Sequence, residues 1–202
     1  MLSVILGLTG GLPVLPARVS AGFDRLLDAV VRIVDPSLRF DVDGGIAARG
    51  RVLQPVVDQL LAEPYFRAEP PKSTGRELFD PAYVHRLIAM CREQGPGITD
   101  ADVVATATAL TAQSIGDAYR RFIPEPVTET LIAGGGAKNS TLRRMLADAV
   151  APLKVTTFDE RYFDGEAKEA VAFALLAHLH LEGLPGNVPT ATGPRGPRVL
   201  GI

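Results

Sequence analysis

The 202-residue sequence has no tryptophan and a single cysteine, Cys91. One thiol cannot close an intramolecular disulfide or supply a thiolate metal cluster, and this cysteine usage fits a reducing, cytoplasmic setting. Cys91 therefore reads as a small buried apolar residue. Charge of one sign is also lacking, since 21 basic and 23 acidic residues are well mixed and give a formal net charge of −2. That excludes the electrostatic footprint of a nucleic-acid or anionic-membrane binder and favours a small-molecule partner. The sequence has no long apolar run either. The uncharged stretch at residues 1–17 lacks a basic start and is interrupted by Gly7, Gly10, Gly11, Pro13 and Pro16, so it reads neither as a leader nor as a span. With 3 histidines, of which His178 and His180 stand two apart on one helical stretch and face different ways, there is no histidine metal site to propose.

What is present is an apolar pattern, 47% hydrophobic, punctuated by 20 glycines and 16 prolines. Residues 3–8, 12–15 and 18–23 read as short strands joined by glycine turns, an antiparallel meander. Phe23, Leu26, Leu27, Val30, Val31 and Val34 then recur at helical spacing, up to Pro36. After the turn Asp41-Val-Asp-Gly-Gly, a second helix carries Leu53, Val56, Val57, Leu60 and Leu61 and stops before Pro64. Asp80 with Pro81 starts a third, with Val84, Leu87, Ile88 and Cys91 inward. Thr99 and Asp102 have capping-box spacing and open a long helix whose inner face is Val104, Thr108, Thr111, Ile115, Tyr119 and Phe122. A strand at 127–133 runs into Gly134-Gly135-Gly136, Asn139 caps a helix carried by Leu142, Met145, Leu146 and Ala149, and a strand follows at 154–158. The last helix begins near Asp164 and is expected to turn Ala167, Ala170, Val171, Ala174, Leu175 and His178 inward.

The order of elements predicts an α/β chain with a mixed sheet: three antiparallel strands, a helix, a helical insert, then alternating strands and helices. It resembles the ribonuclease-H-like half of the actin-like ATPase superfold. Residues 1–36 and 126–202 are the sheet-and-helix core and residues 37–125 the mainly helical insert.

Several segments can carry chemistry. In Leu131-Ile-Ala-Gly-Gly-Gly-Ala-Lys-Asn139 a buried strand empties into three glycines ahead of a capped helix, which lets backbone approach an anionic ligand at a helix amino terminus. The same glycines serve equally well as a tight turn, and no Gly-Lys-Ser/Thr follows to make a Walker loop. Pro70-Pro-Lys-Ser-Thr-Gly-Arg-Glu77 is an exposed loop in which Lys72 and Arg76 can each hold an anion or stand solvated. Asp164, Glu166 and Glu169 lie around the start of the last helix, where the helix dipole favours carboxylates. Asp24, at the end of the third strand, reads either as a group facing the crevice of an open sheet or as a helix-start cap.

Together these segments resemble the anhydro-N-acetylmuramic acid kinase family. The resemblance runs from Phe40-Asp-Val-Asp-Gly-Gly through Pro70-Pro-Lys-Ser-Thr-Gly-Arg-Glu, the Leu131 to Asn139 loop and Asp164-Gly-Glu-Ala-Lys-Glu-Ala-Val-Ala-Phe-Ala-Leu-Leu-Ala to Gly183-Leu-Pro-Gly-Asn-Val-Pro-Thr-Ala-Thr-Gly. It implies phosphorylation and hydrolytic ring opening of 1,6-anhydro-N-acetylmuramic acid with ATP and Mg2+, giving N-acetylmuramic acid 6-phosphate in cell-wall recycling. It implies further that Gly134, Gly135, Gly136 and Asn139 lie at the nucleotide and that Glu169 contacts the sugar. Asp24 aligns with the family's general base, although the family's Thr-Gly-Pro-Gly-Asn turn after that aspartate is missing. The family's amino-terminal phosphate-loop domain is absent from the sequence as well, so the chain is expected to be inactive alone. The alternative is a non-catalytic module that pairs with a separate amino-terminal half; a homodimer is the other partner expectation.

Overall fold

The computed structural model describes the backbone of residues 3–8 and 23–25 and the whole of residues 26–69, 78–123, 127–187, 189 and 195–201. The expected strand at 12–15, residues 18–22 of the strand expected at 18–23, and the 70–77 segment with Lys72 and Arg76 lie outside these residues. A long central helix, α5 (Asp100–Phe122), organises the rest. It starts at a reciprocal cap. The Thr99 hydroxyl accepts from the Asp102 amide at 3.2 Å, and the Asp102 carboxylate accepts from the Thr99 amide at 2.8 Å. The other oxygen of Asp102 takes the Arg51 amide at 2.6 Å, which fastens the preceding loop to the helix start.

The sequence predicts one inner face for α5, and here the structure differs. Val103, Val104, Ala105, Ala107, Leu110 and Ala112 are all fully buried, so the helix is enclosed on every side from Asp102 to Ala112. Polar residues survive this because their hydroxyls bond within the helix: Thr106 to Asp102 O at 2.7 Å, Thr108 to Val104 O at 2.8 Å, Thr111 to Ala107 O at 3.1 Å. Tyr119 and Phe122, near the far end, are only half-buried. Small residues let backbones close in. A methyl at Gly50 would meet the Ala101 carbonyl, and one at Gly116 would lie 2.5 Å from the Ala149 oxygen.

Around α5 stand α1 (Phe23–Val34), α2 (Gln54–Leu61) and α4 (Pro81–Arg92). Each buries the stripe that its spacing predicts: Leu26, Leu27, Val30 and Val31; Val56, Val57 and Leu60; Val84, Leu87 and Cys91. The Asp80 carboxylate caps α4 through the Tyr83 amide, and Pro81 occupies the first turn. Pro64 does not merely end α2 but opens a four-residue helix, α3 (Pro64–Arg67), because a fixed φ suits a first helical turn as well as it breaks an interior one. Arg121 donates to the Phe66 and Arg67 carbonyls at the end of α3. Cys91 is fully buried, and burial pushes its thiol up to about 11.

The sheet lies to one side. Strand β1 (Ser3–Leu8) pairs antiparallel with β2 (Val127–Ala133), from Ser3 opposite Ala133 to Leu8 opposite Val127. Strand β3 (Lys154–Thr157) runs parallel to β2 on its other edge. The crossover helix between them, α6 (Ser140–Val150), buries Leu142, Leu146 and Val150 against Ala112, Ile115 and Ile132, so α5 is shared by the helical cluster and the sheet cluster. The strand expected over 154–158 ends one residue early, because Phe158 starts the short helix α7 (Phe158–Arg161). Phe23, expected as the end of a strand, is the first residue of α1.

The largest correction concerns α8 (Lys168–Leu181). The helix forms, after a 3-10 turn that Asp164 caps by accepting from the Glu166 amide, yet none of its side chains is buried. Val171, Leu175 and His178, expected inward, are exposed, and Phe173 is 71% exposed. The segment is apolar on nearly every side, so its spacing did not single out a face. Among the described residues no helix is long and apolar enough to cross a membrane.

Burial sets the expected costs of substitution. Leu110→Ala should lower unfolding stability by about 2–5 kcal/mol and Phe173→Ser by less than about 0.5 kcal/mol, as read from urea denaturation. Comparable losses at both sites would contradict the packing described. Asp102 supplies a pH test. Its carboxyl is held below the usual carboxylate range, first by the Thr99 amide and then by the Arg51 amide. A lowered folded-state pKa gives stability that is full above the unfolded value near 3.9 and is lost as pH falls below it. The stability gap between the wild type and Asp102→Asn should therefore shrink between neutral pH and about pH 2.5; a gap that widened in acid would refute this.

Candidate functional site

The carboxyl ends of the parallel strands β2 and β3 each release a loop at the same rim of the sheet. Leu131, Ile132 and Ala133 are buried, and Gly134 then turns the chain out with φ 83° and ψ −174°, a conformation that a side chain excludes. A 3-10 turn, Gly135–Lys138, follows, closed by Ala137 N to Gly134 O at 2.9 Å and Asn139 N to Gly136 O at 3.2 Å. Asn139 is buried, and its side-chain oxygen accepts from the Leu142 amide at 2.8 Å, capping α6. Gly134, Gly135, Gly136 and Asn139 thus form one continuous loop at the amino terminus of an 11-residue helix.

The loop after β3 lies against it. Gly165 is buried and donates to the Asp159 carboxylate at 2.9 Å, and a methyl built on Gly165 would fall 3.8 Å from the Ala133 side chain. The Lys138 ammonium pairs with the Glu166 carboxylate across the two loops, and that hydrogen bond raises the Lys138 pKa. Glu169 follows in the first turn of α8, exposed to solvent. Below the rim, Glu129 joins the strands: it accepts from the Thr156 hydroxyl at 2.7 Å and from Arg161 at 3.0 Å, and the two together lower its pKa.

For Asp24 the structure gives only a backbone position. It is in the first turn of α1, and its carboxylate lies outside the described residues.

One part of the site escaped sequence reasoning. Residues 41–45 read as a turn, but the destination of that turn was not legible: it docks on the first residues of α6. Ser140 donates its hydroxyl to the Asp43 carbonyl at 2.7 Å and Thr141 donates to the Gly44 carbonyl at 2.9 Å, contacts that span 97 positions of sequence. The only signal was the pair of glycines beside two aspartates.

A family model described as Anhydro-N-acetylmuramic acid kinase matches residues 9–202. The chain belongs to the anhydro-N-acetylmuramic acid kinase family. Relatives bearing that name include a protein of Streptomyces avermitilis, 42% identical over 206 residues that cover 98% of this chain and 51% of the relative. Another, of Acaryochloris marina, is 40% identical over 173 residues, 86% of this chain and 45% of the relative. A third, of Cupriavidus pinatubonensis, is 45% identical over 162 residues, 80% of this chain and 42% of the relative. The chain spans about half the length of the curated relatives it matches.

Within this anhydro-N-acetylmuramic acid kinase family member, Asn139 is the residue whose local role is most directly measurable. Asn139→Ala should cost about 1 kcal/mol through the lost cap and speed amide exchange at Leu142, followed by NMR. Unchanged exchange at Leu142 would show that the side chain does not cap α6 in solution.

Proposed function

We propose that this chain supplies the nucleotide-side loop and the sugar-side carboxylate for ATP-dependent phosphorylation of 1,6-anhydro-N-acetylmuramic acid. The observation that carries the reading is the space at Gly135. A methyl built there meets nothing within 4 Å among the described residues, although the loop is closed by its own hydrogen bonds and sits on a helix amino terminus. Glycine here answers no packing demand of the described residues, which supports a loop shaped for a ligand that approaches the backbone.

In the proposed reaction, water adds to the anomeric carbon, the bond from that carbon to O6 breaks, and O6 takes the γ-phosphoryl group as ADP leaves. The product is N-acetylmuramic acid 6-phosphate, an intermediate of cell-wall recycling. Asp24, aligned with the family's base, is proposed to accept the proton from water, and Glu169 to bind the sugar. Gly134, Gly135, Gly136 and Asn139 are proposed to line the nucleotide. Such transfer rests on positioning and electrostatic preorganisation rather than on protein covalent chemistry. Among the described residues no three or more His, Cys, Asp or Glu cluster as a metal site. Mg2+ accompanying ATP draws most of its ligands from phosphate and water, a donor set consistent with this surface. The mixed sheet and its crossover support a ribonuclease-H-like half of the actin-like fold, with residues 37–125 as its helical insert; a cytoplasmic setting is proposed from the cysteine usage. Turnover is proposed to need contacts from the half of the relatives' length that these residues do not span.

The test is Gly135→Asp, which puts a carboxylate into the open space without a steric conflict in the protein. ATP should raise the thermal midpoint of the wild type, by the equivalent of about 2.7 kcal/mol at a hundredfold excess over Kd. The variant should keep its ATP-free midpoint and lose the ATP-induced rise. A variant that responds to ATP like the wild type would remove this loop from the nucleotide site.

A further inference from the structure

We propose that the turn at residues 41–45 is the positioning element of the glycine loop, with Gly44 setting where Asn139 stands and thereby how the 134–139 loop is presented. What that loop binds rests on the reading above; the mechanical coupling does not. A methyl built on Gly44 would lie 2.3 Å from the Asn139 side-chain oxygen and 2.8 Å from both the Cβ and the hydroxyl of Thr141. Neither neighbour has room to yield. The Asn139 oxygen is committed to the Leu142 amide, and swinging it away uncaps α6. Thr141 is 3% exposed and holds the Gly44 carbonyl.

The turn is itself fixed. The buried Asp41 carboxylate accepts from Ile46 N at 2.7 Å and Ala47 N at 3.0 Å, while Gly44 N reaches Asp41 O at 3.2 Å and Gly45 N reaches Val42 O at 2.9 Å. Asp43 and Gly44 both adopt positive φ, 54° and 75°, which turns their carbonyls toward Ser140 and Thr141. The next 3-10 turn, Ala47–Arg49, packs on α5. A continuous chain of contacts therefore runs from the central helix through the turn to Asn139. From Asn139 it reaches the glycines, because the Asn139 amide bonds to Gly136 O. Gly44 touches no ligand in this scheme; it acts through Asn139.

The experiment compares Gly44→Asn with Gly45→Ala in the full 202-residue chain. Asparagine tolerates positive φ, so Gly44→Asn introduces the steric contact with little backbone strain. Gly45 has φ −67° and, among the described residues, its added methyl would meet only the Val42 oxygen at 3.3 Å, so Gly45→Ala is the neighbouring control. In Gly44→Asn, amide exchange at Leu142 should rise about tenfold, the factor expected for a lost cap. The Ala137 and Asn139 resonances should shift, and ATP should bind about tenfold more weakly. Gly45→Ala should leave all three as in the wild type. Resonances of Ala137 and Asn139 that stay at wild-type positions in Gly44→Asn would overturn the proposal. If the wild type binds no ATP, the nucleotide reading fails, while the exchange and resonance data still decide the coupling. Should Gly44→Asn not fold, the pair Ser140→Ala and Thr141→Val releases the same carbonyls without added bulk. It should shift the same resonances, and their constancy would equally overturn the proposal.

Discussion

The capping of α5 by Asp102 is the interaction on which the remaining structure rests. One carboxylate closes the first turn of the helix and holds the Arg51 amide, and so decides both where α5 starts and where the loop before α2 crosses it. The burial that follows is possible only because Thr106, Thr108 and Thr111 return their hydroxyls to the helix backbone. A polar atom left unpaired in this interior would cost more than its hydrogen bond contributes, so the internal bonding of these threonines is a condition of enclosing the helix.

From that enclosed helix, order passes outward in two directions. One route is apolar, through Ala112 and Ile115 to α6 and β2; the other is polar, through residues 41–49 to the start of α6. Both converge on the residues that follow β2. The glycine loop thus combines a locally permissive backbone with an externally fixed helix start, the arrangement a site needs when it is to meet a ligand through backbone groups without drifting.

Much of this could be read in the sequence where the signal was local. The Thr99 and Asp102 box, the Asp80 and Pro81 start, the Asn139 cap and the apolar stripes of α1, α2 and α4 depend on residues within a few positions of one another. The strand from Val127 and its glycine terminus were equally plain. What failed was non-local. Spacing marked one face of α5, because Ala and Thr look neutral in a periodic pattern, whereas in the fold they admit neighbours on every side. Spacing also assigned α8 an inner face, though Val171 and Leu175 are exposed in the fold. The turn at 41–45 was recognised, but nothing near it in sequence points to Ser140 and Thr141. For Asp24 the two local signals compete, β-type residues before it and a helical stripe from Phe23, and the described backbone has it in the first turn of α1.

The sealed position of Cys91 has a practical side. A thiol that is both inaccessible and reluctant to ionise is silent toward maleimides and iodoacetamides in the native protein. A single cysteine placed on the surface would then be the sole reactive thiol without any change to the core. A second cysteine added elsewhere on the surface would make a label pair for distance measurements with Cys91 left in place, a consequence of the packing of one small side chain beneath α5.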